Sequence, residues 1–264
     1  MEIISGNEIC KSANRINLNL IIFGYAKIDK TWSSAVNTPP YSRLYYITRD
    51  SAEICGIDGT KTLLTPGKWF FFPAGYSFSF TFPAEMEHMY FHFKLSDFDG
   101  MDLLRFTEKT IAISEDDTTI VKLKNIIASS SVADSIFIKQ YVYGLISPIA
   151  QKLDIKDYSH SLLRALQYIK NNLSISLTIE KIAAAAYTSK SSLAKNFRKE
   201  LSMSVNEYVS NAVLSEAALR LITKNESILS ISERYGFSDQ FYFSRKFKQK
   251  FGMSPREYRK NNIL

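Results

Sequence analysis

A chain of 264 residues with 45% hydrophobic side chains can bury two separate cores and is too apolar to stay disordered. Its formal charge of +7 is unevenly spread: residues 161–264 hold 17 of the 33 Lys and Arg but only 8 of the 26 Asp and Glu, a local net of +9 that leaves residues 1–160 at −2. There is no apolar run of about 18 residues to span a membrane, no basic-then-apolar leader at Met1–Glu8, and only Cys10 and Cys55, too few for a disulfide scaffold or a thiolate metal site, so a reducing compartment, the cytoplasm, is expected.

In chain order, the first stretch is rich in aromatic and β-branched residues with closely spaced turn signals. Tyr41–Thr48 reads as a strand, and Ser51–Asp58 as another ending at Gly59. Pro66-Gly67 turns into the apolar strand Trp69–Phe72, which Pro73-Ala74-Gly75 closes. Strict alternation over Tyr76–Phe82 puts Tyr76, Phe78, Phe80 and Phe82 on one face. Met86–Leu95 alternates as well, with His88, Tyr90 and His92 opposite Met89, Phe91 and Phe93. Many short strands predict a sandwich or barrel. From about Glu115 the period becomes helical: Ile120, Leu123, Ile126 and Ile127 share one face, and Asp134–Lys152 forms a second segment that Pro148 kinks or shortens. Residues 153–160 are short and polar, a linker, and everything after them reads as helix.

Two helix-turn-helix modules then follow. Thr178 is placed to N-cap a helix Ile179–Ala186, and Ser189 the next, Lys190–Leu201. Leu193 and Phe197, four apart, must face inward, which turns Ser191, Ala194, Lys195 and Arg198 outward. The pattern recurs with Ile228, Ile231 and Tyr235 on a first helix and Gly236 as the turn. Ser238 is read as the cap of Asp239–Phe251, whose Phe243 and Phe247 go inward and whose Gln240, Phe241, Ser244, Arg245 and Lys248 go outward. At an offset of 50, Phe197, Met203, Ser204, Glu207 and Tyr208 match Phe247, Met253, Ser254, Glu257 and Tyr258. A single helix Val205–Thr223 joins the modules. At 1.5 Å per residue it spans roughly 28 Å, near the roughly 34 Å of one DNA turn.

Gly236–Lys248 and Phe251–Arg259 resemble the signature of AraC/XylS-type transcription regulators, and the resemblance extends over about residues 165–260. Upstream, Pro39–Tyr46 and Leu64–Gly75 are similar to that family's N-terminal cupin-like sensor. The resemblance implies an α+β protein: a cupin-like β-barrel with dimerisation helices at 1–152, and an all-α DNA-binding domain at 161–264 with modules at 178–201 and 228–251. The chain departs from the family pattern at Val213, where an Arg usually follows the Tyr by five residues, at Ser202, where the first module often has Gly, and at Tyr76-Ser77-Phe78, where many such sensors have a His.

The implied function is a sequence-specific regulator, an activator acting with RNA polymerase as a homodimer on double-stranded DNA. Lys195 and Arg245 are expected at base edges or phosphates, Gln240 at adenine, Phe241 at a thymine methyl, and the capped ends at Ser189 and Ser238 at phosphate. Trp32, Tyr41, Arg43, Tyr45, Tyr76, His88, Tyr90 and His92 form an aromatic platform with polar edges that suits a carbohydrate effector first, with a fatty acid, another small metabolite or a sensor that has lost its ligand left open. His88 and His92, four apart on a strand, sit roughly 13 Å from each other, so no metal and no cofactor is expected. No nucleophile–base constellation points to catalysis. Two other readings remain: a DNA-binding protein whose barrel only dimerises, and a cupin enzyme with a helical appendage.

Overall fold

The computed structural model describes residues 8–28, 39–56, 59–81, 85–97, 102–104, 112–114, 117–151 and 158–262. The chain divides into two compact units, Met1–Ile155 and Lys156–Leu264. Together they make an α+β protein, with sheets in the first unit and helices alone in the second.

The first unit runs α1 (Glu8–Arg15), β1 (Asn17–Ile28), β2 (Ser42–Arg49), β3 (Ala52–Gly56), β4 (Lys61–Leu64), β5 (Lys68–Phe72), β6 (Phe78–Thr81), β7 (Met86–Ser96), β8 (Ala112–Ser114), α2 (Asp117–Ile126) and α3 (Val132–Ala150). Among the described residues the strands form a five-stranded sheet, β1-β7-β2-β5-β8, and a three-stranded one, β4-β3-β6. Register follows the side-chain alternation. On β2 and β7, Arg43 pairs with His92, Tyr45 with Tyr90 and Ile47 with His88. That face joins Phe70 and Phe72 of β5 and packs with Ala52, Ile54 and Phe78 of the smaller sheet. The opposite face, with Leu44, Tyr46, Trp69, Phe71, Met89, Phe91 and Phe93, is covered by Ile120 and Leu123 of α2 and by Val142, Leu145, Ile146 and Ile149 of α3. A sheet buried on both faces explains why Trp69–Phe72 is apolar without alternation. Each of these side chains contributes about 1.5–3 kcal/mol by leaving water.

Two expected boundaries shift. Strand β6 omits Tyr76 and Ser77, because Gly75 turns the chain at φ 82° and the Tyr76 carbonyl accepts from the Arg43 guanidinium (2.7 Å) instead of from a neighbouring strand. Phe82 lies outside the described residues. Helix α3 starts at Val132, where the Ser131 side chain accepts from the Asp134 N–H, and it continues past Pro148 to Ala150. So close to the end, proline removes only one N–H, the one that would donate to Gly144.

The second unit holds α4 (His160–Asn171), α5 (Ile179–Ala185), α6 (Lys190–Leu201), α7 (Val205–Thr223), α8 (Ile228–Arg234), α9 (Gln240–Phe251) and α10 (Pro255–Asn262). The expected linker lies partly outside the described residues; its Ser159 N-caps α4, and His160 is the first residue of that helix. Helix α7 has the expected bounds and a capping box between Ser204 and Glu207. Ser254 and Glu257 repeat that exchange at the start of α10. Tyr208 meets Phe197 edge-on at 5.6 Å and Tyr258 meets Phe247 at 5.2 Å. The residues that match at an offset of 50 are therefore the ones that fix how each long helix ends and the next begins.

Candidate nucleic-acid interface

Each module offers one helix whose inner stripe is fully buried and whose outer stripe is not. In α6, Leu193 and Phe197 are buried while Ser191, Lys195 and Arg198 are exposed. In α9, Phe243, Phe247 and Phe251 are buried while Phe241, Arg245 and Lys248 are exposed. Phe241 is 76% exposed, a large apolar ring in water on an otherwise charged face. Ala194, Gln240 and Ser244 are only partly exposed, and the Ser244 hydroxyl donates to the Gln240 carbonyl one turn back at 2.8 Å. Among the described residues, Lys195, Arg198, Arg245 and Lys248 take part in no ion pair.

The other basic residues of this unit are partly spent on structure. Glu226 accepts from Arg220 and, at 3.2 Å, from Arg234. Arg220 also donates to the Tyr235 hydroxyl (3.0 Å), and Arg259 donates to the Leu221 (3.1 Å) and Glu226 carbonyls. Burial works to raise the Glu226 pKa, but the hydrogen bond and charge of Arg220, with Arg234 beside it, outweigh that and hold it below the ordinary carboxylate value. This network ties α7, α8 and α10 together. Sequence reading passed over it, because Glu226 lies in a short polar loop that no periodicity marks.

The helix starts differ between the modules. Ser189 caps α6 as expected: its oxygen accepts from the Ser192 N–H at 3.2 Å. Ser238 does not cap α9. Asp239 does, with Oδ1 accepting from the Tyr242 N–H at 2.7 Å, while Ser238 only donates to Asp239 Oδ2 at 3.1 Å. A carboxylate is a stronger acceptor than a hydroxyl and is favoured at a helix N-terminus. The Tyr242 N–H lowers the Asp239 pKa accordingly.

The turns differ as well. Tyr187 (φ 52°) and Gly236 (φ 72°) are the left-handed residues after α5 and α8. From there to the cap is two residues in the first module and three in the second, so the repeat is offset by 49 before the turn and by 50 after it. Tyr187 is 83% exposed, and the Arg164 guanidinium lies 5.3 Å from its ring centre. The loop between α4 and α5 also touches the second module: the Ile175 N–H donates to the Tyr235 carbonyl at 2.8 Å, and a Cβ at Gly236 would lie 2.3 Å from Ser174 Oγ.

In the first unit, the expected effector residues other than Trp32, which lies outside the described residues, converge on the inner face. Tyr41, Arg43, Tyr45, His88, Tyr90 and His92 are buried and Tyr76 is half-buried. Their rings form one continuous set: Tyr41 stacks on His92 at 4.9 Å, Tyr45 meets His88 at 5.1 Å, and Tyr90 lies between His88 (5.3 Å) and His92 (5.2 Å). Gly24 makes room for Tyr90, since a Cβ there would sit 2.4 Å from its hydroxyl. Burial depresses the His88 pKa to about 4, and burial with the Arg43 charge drives His92 well down, so both rings are neutral. Among the described residues no group of three or more His, Cys, Asp or Glu is placed to hold a metal ion, and no helix is long and apolar enough to cross a membrane.

Comparison with known proteins agrees with this geometry. A family model described as a helix-turn-helix domain matches residues 182–261. The multiple antibiotic resistance protein MarA of Escherichia coli is 37% identical over 98 residues, 37% of this chain and 77% of MarA. The lactose operon transcription activator of Staphylococcus xylosus is 30% identical over 146 residues, 53% of this chain and 52% of that protein. The solved structure of ToxT from Vibrio cholerae superposes with a TM-score of 0.59 at 14% identity, over 95% of this chain and 100% of ToxT, a likeness of fold. With its paired recognition helices and these relatives, the chain belongs to the AraC family of DNA-binding transcription regulators.

Proposed function

We propose that the chain is a ligand-responsive activator of transcription. Residues 161–264 read DNA through α6 and α9, and residues 1–152 form a cupin-like barrel that binds a small molecule and dimerises. The observation that carries this reading is the pair of recognition helices whose outward cations, Lys195 and Arg198 on one and Arg245 and Lys248 on the other, are exposed and form no salt bridge among the described residues. On this reading Lys195 and Arg245 reach bases or phosphates, Phe241 meets a thymine methyl, and Ser189, Ser191, Arg198, Ser238 and Lys248 line the backbone path, with Ala194, Gln240 and Ser244 beside them. Exposed Val132 and Ile136 on α3 and Val121 on α2 favour a homodimer through those helices. RNA polymerase is the further partner an activator needs, and the cytoplasm is where it meets the chromosome.

The effector is a carbohydrate on this reading, held between the ring faces of Tyr41, Tyr45 and Tyr90 and the polar edges of Arg43, His88 and His92, with Trp32 and Tyr76 completing the site. Support for a small-molecule role comes from ToxT, whose structure has been solved with an unsaturated fatty acid bound. Effector binding would shift the population between two states that differ in DNA affinity. Selection of bound sequences from random duplex DNA by the full chain tests the first claim. Enrichment of one site with two half-sites is expected, and recovery of unselected DNA refutes it.

A further inference from the structure

We propose that the inner face of the five-stranded sheet is a binding site for a carboxylate, anchored by Arg43. This rests on the effector reading above and names the chemistry of that effector. Arg43 stands on β2 between Phe72 of β5 and His92 of β7. Its guanidinium lies 4.4 Å from the centre of the Phe78 ring, and its hydrogen bond goes from Nη2 to the Tyr76 carbonyl at 2.7 Å. Nε is buried without a partner, and among the described residues no carboxylate pairs with this cation. A charge only 6% exposed among aromatic rings is costly unless an anion meets it.

The neighbouring groups do not neutralise Arg43, but they can help it. His92, directly across the ladder, is neutral, and its Nδ1 is also buried without a partner. Arg43 Nε is thus one free donor for a carboxylate oxygen, and His92 Nδ1, in the tautomer that carries its proton there, is a second on the paired residue. Arg43 is 6% and His92 9% exposed, against 2% for His88. Four residues along β7, beyond the Tyr90 ring that lies 5.3 Å from His88 and 5.2 Å from His92, His88 offers a third partnerless nitrogen, its Nδ1, and Tyr45 lies alongside. The ligand is therefore a carboxylate with an extended body, either hydroxylated like a sugar acid or aliphatic like a fatty acid.

Thermal unfolding of the full chain with matched probes tests this: gluconate against glucose, decanoate against decanol, and acetate against acetamide. At least one carboxylate is expected to raise the melting temperature by several degrees while its neutral twin does not, and the pair that responds tells the two bodies apart. Arg43→Met should abolish that protection and, by removing an uncompensated buried charge, should melt higher than the natural protein without ligand. The inference is overturned if a neutral twin protects equally, if no carboxylate protects, or if protection survives Arg43→Met. The twin comparison needs no variant, so it decides even where the substitution impairs folding. Equal protection by glucose would leave the effector reading standing and remove only the carboxylate.

Discussion

Gly236 makes the sharpest test of how the loop between α4 and α5 is joined to the second module. At φ 72°, and with a Cβ position 2.3 Å from Ser174 Oγ, alanine meets two separate obstacles there. The left-handed backbone costs about 1–2 kcal/mol for a residue with a Cβ. Displacing the Ser174 hydroxyl forfeits its bonds to the Tyr235 carbonyl (3.3 Å) and to Ser176 Oγ (2.8 Å), each worth about 0.5–1.5 kcal/mol net. Gly236→Ala should therefore destabilise the helical unit by about 3 kcal/mol. With Ser174→Ala already in place the hydroxyl is gone, and the glycine change should cost only the backbone share, leaving a coupling of about 1–2 kcal/mol between the sites. Urea unfolding followed by far-UV circular dichroism, which the second unit's helices dominate, measures all four corners of the cycle. Equal costs of Gly236→Ala in both backgrounds would refute the contact with Ser174 as the reason for glycine.

Three further outcomes follow from the same geometry. Ser202 ends α6 at φ 58° where Gly252 ends α9 at φ 77°, so Ser202→Gly should stabilise by about 0.5–1 kcal/mol, read as a melting shift of a few degrees; no shift would mean the serine is unstrained. Arg245→Ala should lose about 1–3 kcal/mol of discrimination at one half-site, and competition binding that weakens equally on all sequences would place Arg245 on phosphate alone. The first unit should lose stability in acid: His88 has a folded pKa of about 4 against an ordinary 6.5, so its contribution is full above 6.5 and falls as pH drops toward 4, by about 3 kcal/mol. His92 adds to this in the same direction. Denaturation midpoints that stay flat from pH 7 to 5, or a slope that His88→Phe leaves unchanged, would sink that account.

Much of the architecture was legible because it rests on periodicity and capping. The inward pairs Leu193/Phe197 and Phe243/Phe247, the caps Thr178 and Ser189, the strut α7 and the two faces of β7 all follow from spacing, and each occupies the expected place. What spacing missed depended on competition between neighbours. Ser238 and Asp239 are both good caps, and only the local backbone gives the place to the acid. The one-residue difference between the turns is invisible when the repeats are aligned on their helices. Tyr187 in a left-handed conformation runs against residue preference. The Glu226 network joins residues from 220 to 259, beyond the reach of any local pattern. In the first unit, alternation put His88, Tyr90 and His92 on one face of their strand, and Arg43 and Tyr45 joined them as an aromatic platform with polar edges, but neither reading could show that all five face inward or that Arg43 stands there without a counter-ion.

The unequal caps separate two helix ends that the sequence treats alike, Ser189 and Ser238, both expected at phosphate. A helix N-terminus attracts phosphate through its free N–H groups and its dipole. In α6 Ser189 likewise takes one N–H, that of Ser192, but being neutral adds no charge to oppose a phosphate. In α9 the ionised Asp239 occupies one of those N–H groups and adds a negative charge where a phosphate would sit. On the proposed DNA-binding reading, the second module, closer to the family signature, is then expected to be the weaker backbone clamp, with Phe241 and Arg245 farther along carrying its contacts. Asp239→Ser keeps a good cap and removes the charge. Its expected effect is a several-fold gain in affinity for unrelated duplex DNA at low salt, with a smaller gain for the selected site, so that discrimination narrows. Titrating both DNAs at several salt concentrations separates the outcomes. If Asp239→Ser instead weakens the selected site alone, Asp239 is accepting a hydrogen bond from a cytosine amino group, and the division of labour between the two helix ends is wrong.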